Sequence, residues 1–402
     1  MKDVIALYNQ KRSVFAKNQM PCIIRKPAAF LHKPVYVVIP ACGEYPGIFS
    51  AFESLNALEE APAIICVVNH RASACTELKE NNRTLVREAV KYGVCVLDCT
   101  EGENEFKEGE GVGTARRIGM DYALLSGAKV IACMDADTLV SSSYGKALYD
   151  FFLQGEAHCR YGKNPPAGAV TDFTHQAAEN CELQKAIETY EFFIKEHSRR
   201  LFKTGTPFYP YALGPSIVSS AWGYAASGGM NRRISGEDFY FLQSLIKIQI
   251  QSTAAGEYSA LQKKHCFTFP VLDCTVFPQA RLSERTLFGT GQKLAALTQK
   301  TEAHKQAESV KNSSLLYPDK VYAEITQTIA LFYEMQNKSL DFLSECARRV
   351  PDVYDFFIRE RFSDILEKIT IQNRNKPERL EAAFHTWFDG LKILRLIHYL
   401  MR

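Results

Sequence analysis

An α/β fold with a mostly parallel sheet is what the N-terminal part of this 402-residue chain predicts, on three observations. Short apolar runs rich in Val and Ile recur without polar alternation, in "VYVVIP", "AIICVV", "VCVLDC" and "KVIACM", as strands buried on both faces require. Segments of helical period separate them, which is the alternation of a parallel sheet. Polar residues gather where the runs stop: Asn69 and His70, Asp98, and Asp135 with Asp137. In open α/β sheets ligands bind beyond these carboxyl ends.

Taken in order, residues 1–33 form a helical lead-in with a basic patch at Lys11, Arg12 and Lys17. "PVYVVIPACGEYPG" is a strand running into a loop, and "IFSAFESLNALE" a helix. "AIICVVNH" is the second strand. "CTELKENNRTLVREAVKYG" is an amphipathic helix with Gly93 as its C-cap. "VCVLDCT" is the third strand, and residues 101–113 are a polar, Gly-rich loop. "TARRIGMDYALLSGA" is a helix and "KVIACMD" the fourth strand. Further on, "AGAVTDF" predicts a strand and residues 176–203 a long helix. "ALGPSIVSSAWGYAASGGM" is strand-like, and "NRRISGEDFYFLQSLIKI" is a turn into a helix. From about residue 300 the chain is helical, punctuated by Pro351 and Pro377. The domains expected are therefore the lead-in 1–33, an α/β domain 34–295 and a helical domain 296–402.

Composition narrows the function. With 46% hydrophobic and 23% charged residues the chain is an ordinary globular protein. Its net charge of +3 lacks the basic excess of a general nucleic-acid binder. The twelve cysteines are scattered, with no Cys-x-x-Cys pair. Several sit in apolar runs, where the thiol is a small hydrophobe. A reducing compartment, the cytoplasm, is expected. The N-terminus lacks the apolar core of a signal peptide, and no stretch spans a bilayer.

Asp135 and Asp137, in "IACMDADTL", are either a turn, where Asp is common, or a metal site. On an extended chain residues i and i+2 face one side, so the two carboxylates would share one divalent cation. Arg116, next to Arg117 and beyond Gly113, carries the fork that clamps phosphate bidentately; otherwise the pair is a solvated helix face. Trp222 precedes Gly228 and Gly229, a setting for an aromatic face and close backbone approach to an acceptor sugar, or simply core. In "SGEDFYF", Ser235 and Asp238 have capping-box spacing. In the last helix Leu391, Leu394, Ile397 and Leu400 mark an apolar face. That face either packs on neighbouring helices or makes a peripheral membrane contact.

The order and spacing of "VYVVIPACGE", "VVNHRAS", "GVGTARRIGMDYAL", "MDADT", "GGMNRRISGEDFYFLQSL" and "RLSERTLFGTG" resemble family-2 glycosyltransferases with the GT-A fold, over about residues 34–295. The resemblance implies a mixed sheet flanked by helices. It implies a nucleotide-diphosphate sugar donor, UDP- or GDP-linked, and a Mn²⁺ or Mg²⁺ ion bridging the diphosphate to Asp137 and Asp135. It implies Asp238, in the Glu237-Asp238 pair, as the catalytic base for hexosyl transfer with inversion. Pro40, Ala41 and Glu44 match its donor-contacting segment, and Asn69 stands where its usual acid would be. Asp98 is a further donor-binding candidate. Arg285 falls in its mobile closing segment, and His265 where some relatives place a third metal ligand. The acceptor, a lipid or a glycan among the options, is unread. Two rivals are a catalytically inactive GT-A scaffold and a nucleotidyltransferase; the latter normally carries a basic Gly-rich loop after its first strand, and "ACGEYPG" has no basic residue.

Overall fold

The computed structural model describes residues 2–27, 32–154, 165–254, 267–280, 316–338 and 341–402. Among them, contacts cluster into two compact units, with bounds Met1–Glu188, Ala212–Ile248 and Pro270–His304 for the first, and Thr189–Tyr211, Gln249–Phe269 and Lys305–Arg402 for the second. The sequence alone suggested boundaries after residues 33 and 295. The second unit also draws on two earlier stretches.

The first unit is built on a nine-stranded mixed sheet, in the order β1-β4-β3-β2-β5-β8-β7-β9-β6. Its strands are β1 (Ile23–Arg25), β2 (Val35–Ala41), β3 (Ala63–Asn69), β4 (Cys95–Cys99), β5 (Val130–Cys133), β6 (Leu139–Val140), β7 (Gly168–Phe173), β8 (Ile217–Ser220) and β9 (Val271–Phe277). The four strands expected from the apolar runs are β2 to β5. They are parallel, and their registers bring their carboxyl ends to one edge: Ala41 pairs with Val68, Asn69 with Cys99, and Val38 with Cys133. β3 and β4 are buried along their whole lengths, hence the unbroken apolar runs. β1 is antiparallel to β4, and β8 to β5.

Helices α1 (Lys2–Lys11), α2 (Phe49–Asn56), α3 (Thr76–Ala89), α4 (Val112–Leu125) and α5 (Tyr144–Leu153) lie in this unit. Gly93 closes the turn after α3 in the left-handed conformation, φ 77°. Helices α6 (Cys181–Lys203) and α8 (Glu237–Ala254) begin in the first unit and end in the second. The strand-like reading of residues 212–230 holds only as far as Ser220. The Ser220 hydroxyl accepts the Gly223 amide at 3.0 Å, and this N-cap starts α7 (Ala221–Ser227).

The second unit is helical. It includes α9 (Asp319–Lys338), α10 (Phe342–Arg349), α11 (Pro351–Arg359), α12 (Phe362–Gln372), α13 (Pro377–Trp387) and α14 (Gly390–Leu400). Pro351 and Pro377 stand at first helical positions, where their missing N–H costs nothing. Aromatic rings form the core: Phe332 stacks on Phe384 at 3.9 Å and Phe362 on Trp387 at 4.0 Å. The apolar face expected on the last helix is corrected. Ile393, Leu396 and Ile397 are the buried residues of α14. Steps of three residues lag the helix by about 60° each, so the three steps from Leu391 to Leu400 do not share a face, whereas i, i+3, i+4 does. Lys392 and Arg395 of this helix both pair with Glu360, at 3.0 and 2.5 Å. No helix among the described residues is long and apolar enough to cross a membrane.

His385 lies wholly inside this aromatic core, its Nε2 2.7 Å from the Tyr333 hydroxyl. Burial pushes its imidazole down to about 3. The unfolded chain therefore takes up the proton first. Stability contributed by the neutral ring is present above about pH 6.5 and is lost as the pH falls toward 3. Urea melts across pH 4.5–7 are expected to show an acid-side slope that His385→Phe flattens; equal slopes in both proteins would refute it.

Candidate active site

The carboxyl-end edge of β2 to β5 carries three polar clusters. At the tip of β5 the chain leaves the sheet at Cys133 and turns over Ala136 and Asp137, with the Thr138 amide donating to the Asp135 carbonyl at 3.2 Å. The two acids are thus presented by a turn. The extended-strand geometry that suggested a shared face does not apply, because the last sheet residue is Cys133. Gln176 fixes the turn from outside: its side-chain amide donates to the Asp137 carbonyl at 2.8 Å and to the Phe277 carbonyl at 2.7 Å.

Beneath this turn sits Arg116 of α4, only 3% exposed. Its Nη2 donates to Asp135 Oδ1 at 2.6 Å. Its Nη1 is 3.1 Å from Glu237 Oε1 without hydrogen-bond geometry, so that leg is Coulombic. Gly214 makes the space: a Cβ there would lie 2.3 Å from the guanidinium. Asp135 keeps 40% of its side chain exposed, and Glu237 is buried. One guanidinium therefore ties an acid on the β5 turn to the first residue of α8, 102 positions away. The expected phosphate clamp is corrected: burial leaves Arg116 facing the two acids. Arg117 is also no solvated face, since it donates to the carbonyls of Arg12, Gly228 and Met230.

Asp238 follows Glu237 in the first turn of α8, half-buried, its Oδ1 accepting the Phe239 amide at 2.7 Å. Burial pushes both carboxyls up, and Arg116 pulls them back. The Gly236 carbonyl accepts the Tyr240 amide, so Gly236 occupies the cap position and Ser235 precedes it.

At the tip of β3, the Asn69 amide donates to the carbonyls of Ala41 and Val67, at 3.1 and 3.3 Å. Asn82 of α3, fully buried, accepts the Gly43 amide and donates to the Asn69 carbonyl and to His70 Nδ1. That leaves the His70 proton on Nε2, 3.2 Å from Glu105. Burial lowers the His70 pKa. At the tip of β4, Asp98 accepts from Arg25 Nε at 2.9 Å and from the Thr100 amide and hydroxyl at 3.1 and 2.6 Å. Its expected donor contact is corrected: the buried carboxylate is filled by these partners and holds β1 to β4.

Pro40 and Ala41 end β2, and Glu44 is half-buried in the loop that follows, its carbonyl accepting the Ile48 amide. Gly113 lets the start of α4 approach the 231–233 backbone, where a Cβ would lie 2.4 Å from the Arg233 carbonyl. Trp222 is 8% exposed on α7, which favours its core reading. Gly228 and Gly229 take φ of 87° and 78° beyond α7, and a Cβ on Gly229 would lie 2.1 Å from the Tyr8 hydroxyl. The close approach they allow here is to the N-terminal segment, at Arg12 and Tyr8. His265 and Arg285 lie outside the described residues, as do Arg281, Gly289 and Gly291.

Sequence reasoning missed Asn82, Gln176 and Arg25. Only Asn82 left a signal: paired Asn residues inside a helical run are unfavourable unless they bond to something. It also missed Asp121 of α4, fully buried, which accepts from the hydroxyls of Tyr8 and Tyr224 at 2.6 Å each, the Val14 amide at 2.8 Å and Arg117 Nε at 3.2 Å. These bonds dock α1 on α4 and α7.

Among the described residues no group of three or more His, Cys, Asp or Glu is placed to hold a metal. The donors the β5 turn offers are carboxylate oxygens, and Arg116 takes Asp135 Oδ1. Such a set fits a hard cation of the Mg²⁺ kind, which uses one or two carboxylates and completes its shell with substrate phosphates and water.

Among solved structures, the chain is similar to TarS residues 1–349 of S. aureus in complex with UDP-GlcNAc (10% identity, 89% of this chain and 91% of that chain, TM-score 0.40). It is similar to M. tuberculosis glucosyl-3-phosphoglycerate synthase (14% identity, 67% and 78%, TM-score 0.38). It is also similar to a mannosyltransferase from Pyrobaculum calidifontis in complex with GDP-Man and Mn²⁺ (13% identity, 97% and 96%, TM-score 0.38). At such low identities and TM-scores these likenesses carry no argument about substrate or metal. No family model matches the chain, and no curated protein matches it.

Proposed function

We propose that this chain is a glycosyltransferase of GT-A, family-2 type, which moves a hexosyl group from a UDP- or GDP-linked sugar to an acceptor with the help of Mn²⁺ or Mg²⁺. One observation carries the reading. The Asp135-x-Asp137 turn and the Glu237-Asp238 helix start are joined through buried Arg116 at the carboxyl-end edge of the parallel strands. That juxtaposes the two acidic motifs that the reaction needs.

Asp137 and Asp135 Oδ2 would hold the cation; when bound, it neutralises the charge growing on the departing diphosphate. Asp238 would take the acceptor proton as the hydroxyl oxygen attacks the anomeric carbon and the nucleotide diphosphate leaves. Its raised carboxyl suits a base working nearer neutrality than an ordinary aspartate. Arg116 would hold Asp135 and Glu237 in place.

The test is a thermal-shift titration with UDP and GDP, each with and without Mn²⁺, on wild type and Asp137→Ala. A ligand that binds only the folded state raises the melting temperature by mass action. A metal-dependent rise with one nucleotide, absent in the variant, is expected. No rise with either nucleotide would sink the reading.

A further inference from the structure

The second unit holds a cavity of about 340 Å³ between the end of α6 and the start of α9, lined by Arg199, Arg200, Lys203, Thr204, Asp319, Tyr322, Ala323 and Thr326. Nothing in the proposed chemistry uses it. Its wall carries three cations and one carboxylate. Most of the cationic wall is already fixed in place. Glu196 holds Arg199 through two bonds of 2.6 Å and Arg200 through one of 2.7 Å, and Asp319 takes Arg200 Nη1 at 2.5 Å. The Tyr322 hydroxyl is tied to His197 at 2.7 Å, and the Arg200 guanidinium lies 5.5 Å from the Tyr322 ring centre.

The plain alternative is an ion-pair knot in which basic residues complement the end of a helix. It accounts for Arg200, which bridges α6 to α9. It leaves Lys203 over, an exposed ammonium with no hydrogen-bond or ion-pair partner among the described residues. It also leaves one half-buried carboxylate, Glu196, shared by two guanidiniums. The Asp319 side chain is 92% exposed and screens little of the surplus.

We propose that this cavity is a binding site for a small phosphorylated carbohydrate. Lys203 meets the phosphate through its ammonium, and Arg199, whose Nε and Nη2 are held by Glu196, through its remaining N–H groups. Tyr322 and Ala323 give the wall its apolar side, against which the carbohydrate carbons rest. The volume is in the range of small-molecule sites, larger than a bare phosphate needs.

The experiment is calorimetric titration of the full chain with glucose 6-phosphate, inorganic phosphate and glucose. The expected result is saturable binding of glucose 6-phosphate, weaker binding of phosphate and none of glucose. Arg199→Ala/Lys203→Ala is expected to weaken glucose 6-phosphate binding by roughly tenfold or more, with an unchanged melting curve, and Asp137→Ala is expected to leave it intact. Absence of glucose 6-phosphate binding, equal binding of inorganic phosphate, loss in Asp137→Ala, or full affinity in the double variant would each overturn the proposal. The site stands apart from the nucleotide reading. Failure of the UDP and GDP titrations leaves it untouched, and its own failure leaves them untouched.

Discussion

Replacing Arg116 by methionine is expected to destabilise the first unit by about 3–5 kcal/mol, the range found when one member of a buried ion pair is removed. The cost should fall mainly on one side. Asp135 is 40% exposed and can turn to water, whereas Glu237 is 5% exposed and cannot. The double variant Arg116→Met/Glu237→Gln should therefore recover much of the loss, because the stranded charge is gone. Denaturant midpoints of wild type, single and double variants measure this. A single variant as stable as wild type would mean that the ion pair holds nothing. A double variant with no recovery would move the cause from charge to the packing of the side chain against Gly214.

Asp121→Ala should be comparably severe. The carboxylate is fully buried, and both oxygens are used: Oδ1 by the hydroxyls of Tyr8 and Tyr224, Oδ2 by the Val14 amide and Arg117. Truncation strands four donors, one of them cationic. Each neutral donor costs about 1–3 kcal/mol when left unpaired. The total will be less than the sum, because water enters the space left behind; about 3–5 kcal/mol is expected. Tyr8→Phe removes a single hydroxyl and should cost about 1 kcal/mol. Hydrogen exchange should report the effect locally, with faster exchange across α1 in Asp121→Ala. Protection of α1 unchanged in that variant would rule out the carboxylate as its anchor.

The centre of the sheet was legible because strands buried on both faces must be apolar throughout, and β2 to β5 are. The edges were not. β1 has three residues and β6 two, too few to display a period. Helix α7 hid inside a strand-like stretch because one hydroxyl, that of Ser220, decides where strand gives way to helix. In the tail, "VYDFFIRERFSDILEKITI" reads as continuous helix, but the chain breaks at Arg361, φ 53°. The site shows the same divide. Asp98 and Asp135 look alike in sequence, each an acid at a strand tip. One is enclosed by Arg25 from 73 residues away, and the other stands partly open above Arg116. Local sequence records which residues stand at a tip, while the partner that arrives from afar decides whether such a residue is enclosed or left partly open.

The divided course of the chain has a consequence for how this protein could have been assembled. Residues 305–402 cannot be spliced off as a finished module. Tyr317 packs on Phe193, Tyr322 bonds to His197, Asp319 to Arg200, and His385 rests on Phe267. A gene fragment starting at residue 305 would encode these partners' partners alone, with their contact faces turned to water. Any swap of the helical unit between proteins would need coordinated exchange of three separate stretches of sequence, so recombination would seldom transplant it whole, and it would have to change by point substitution in place.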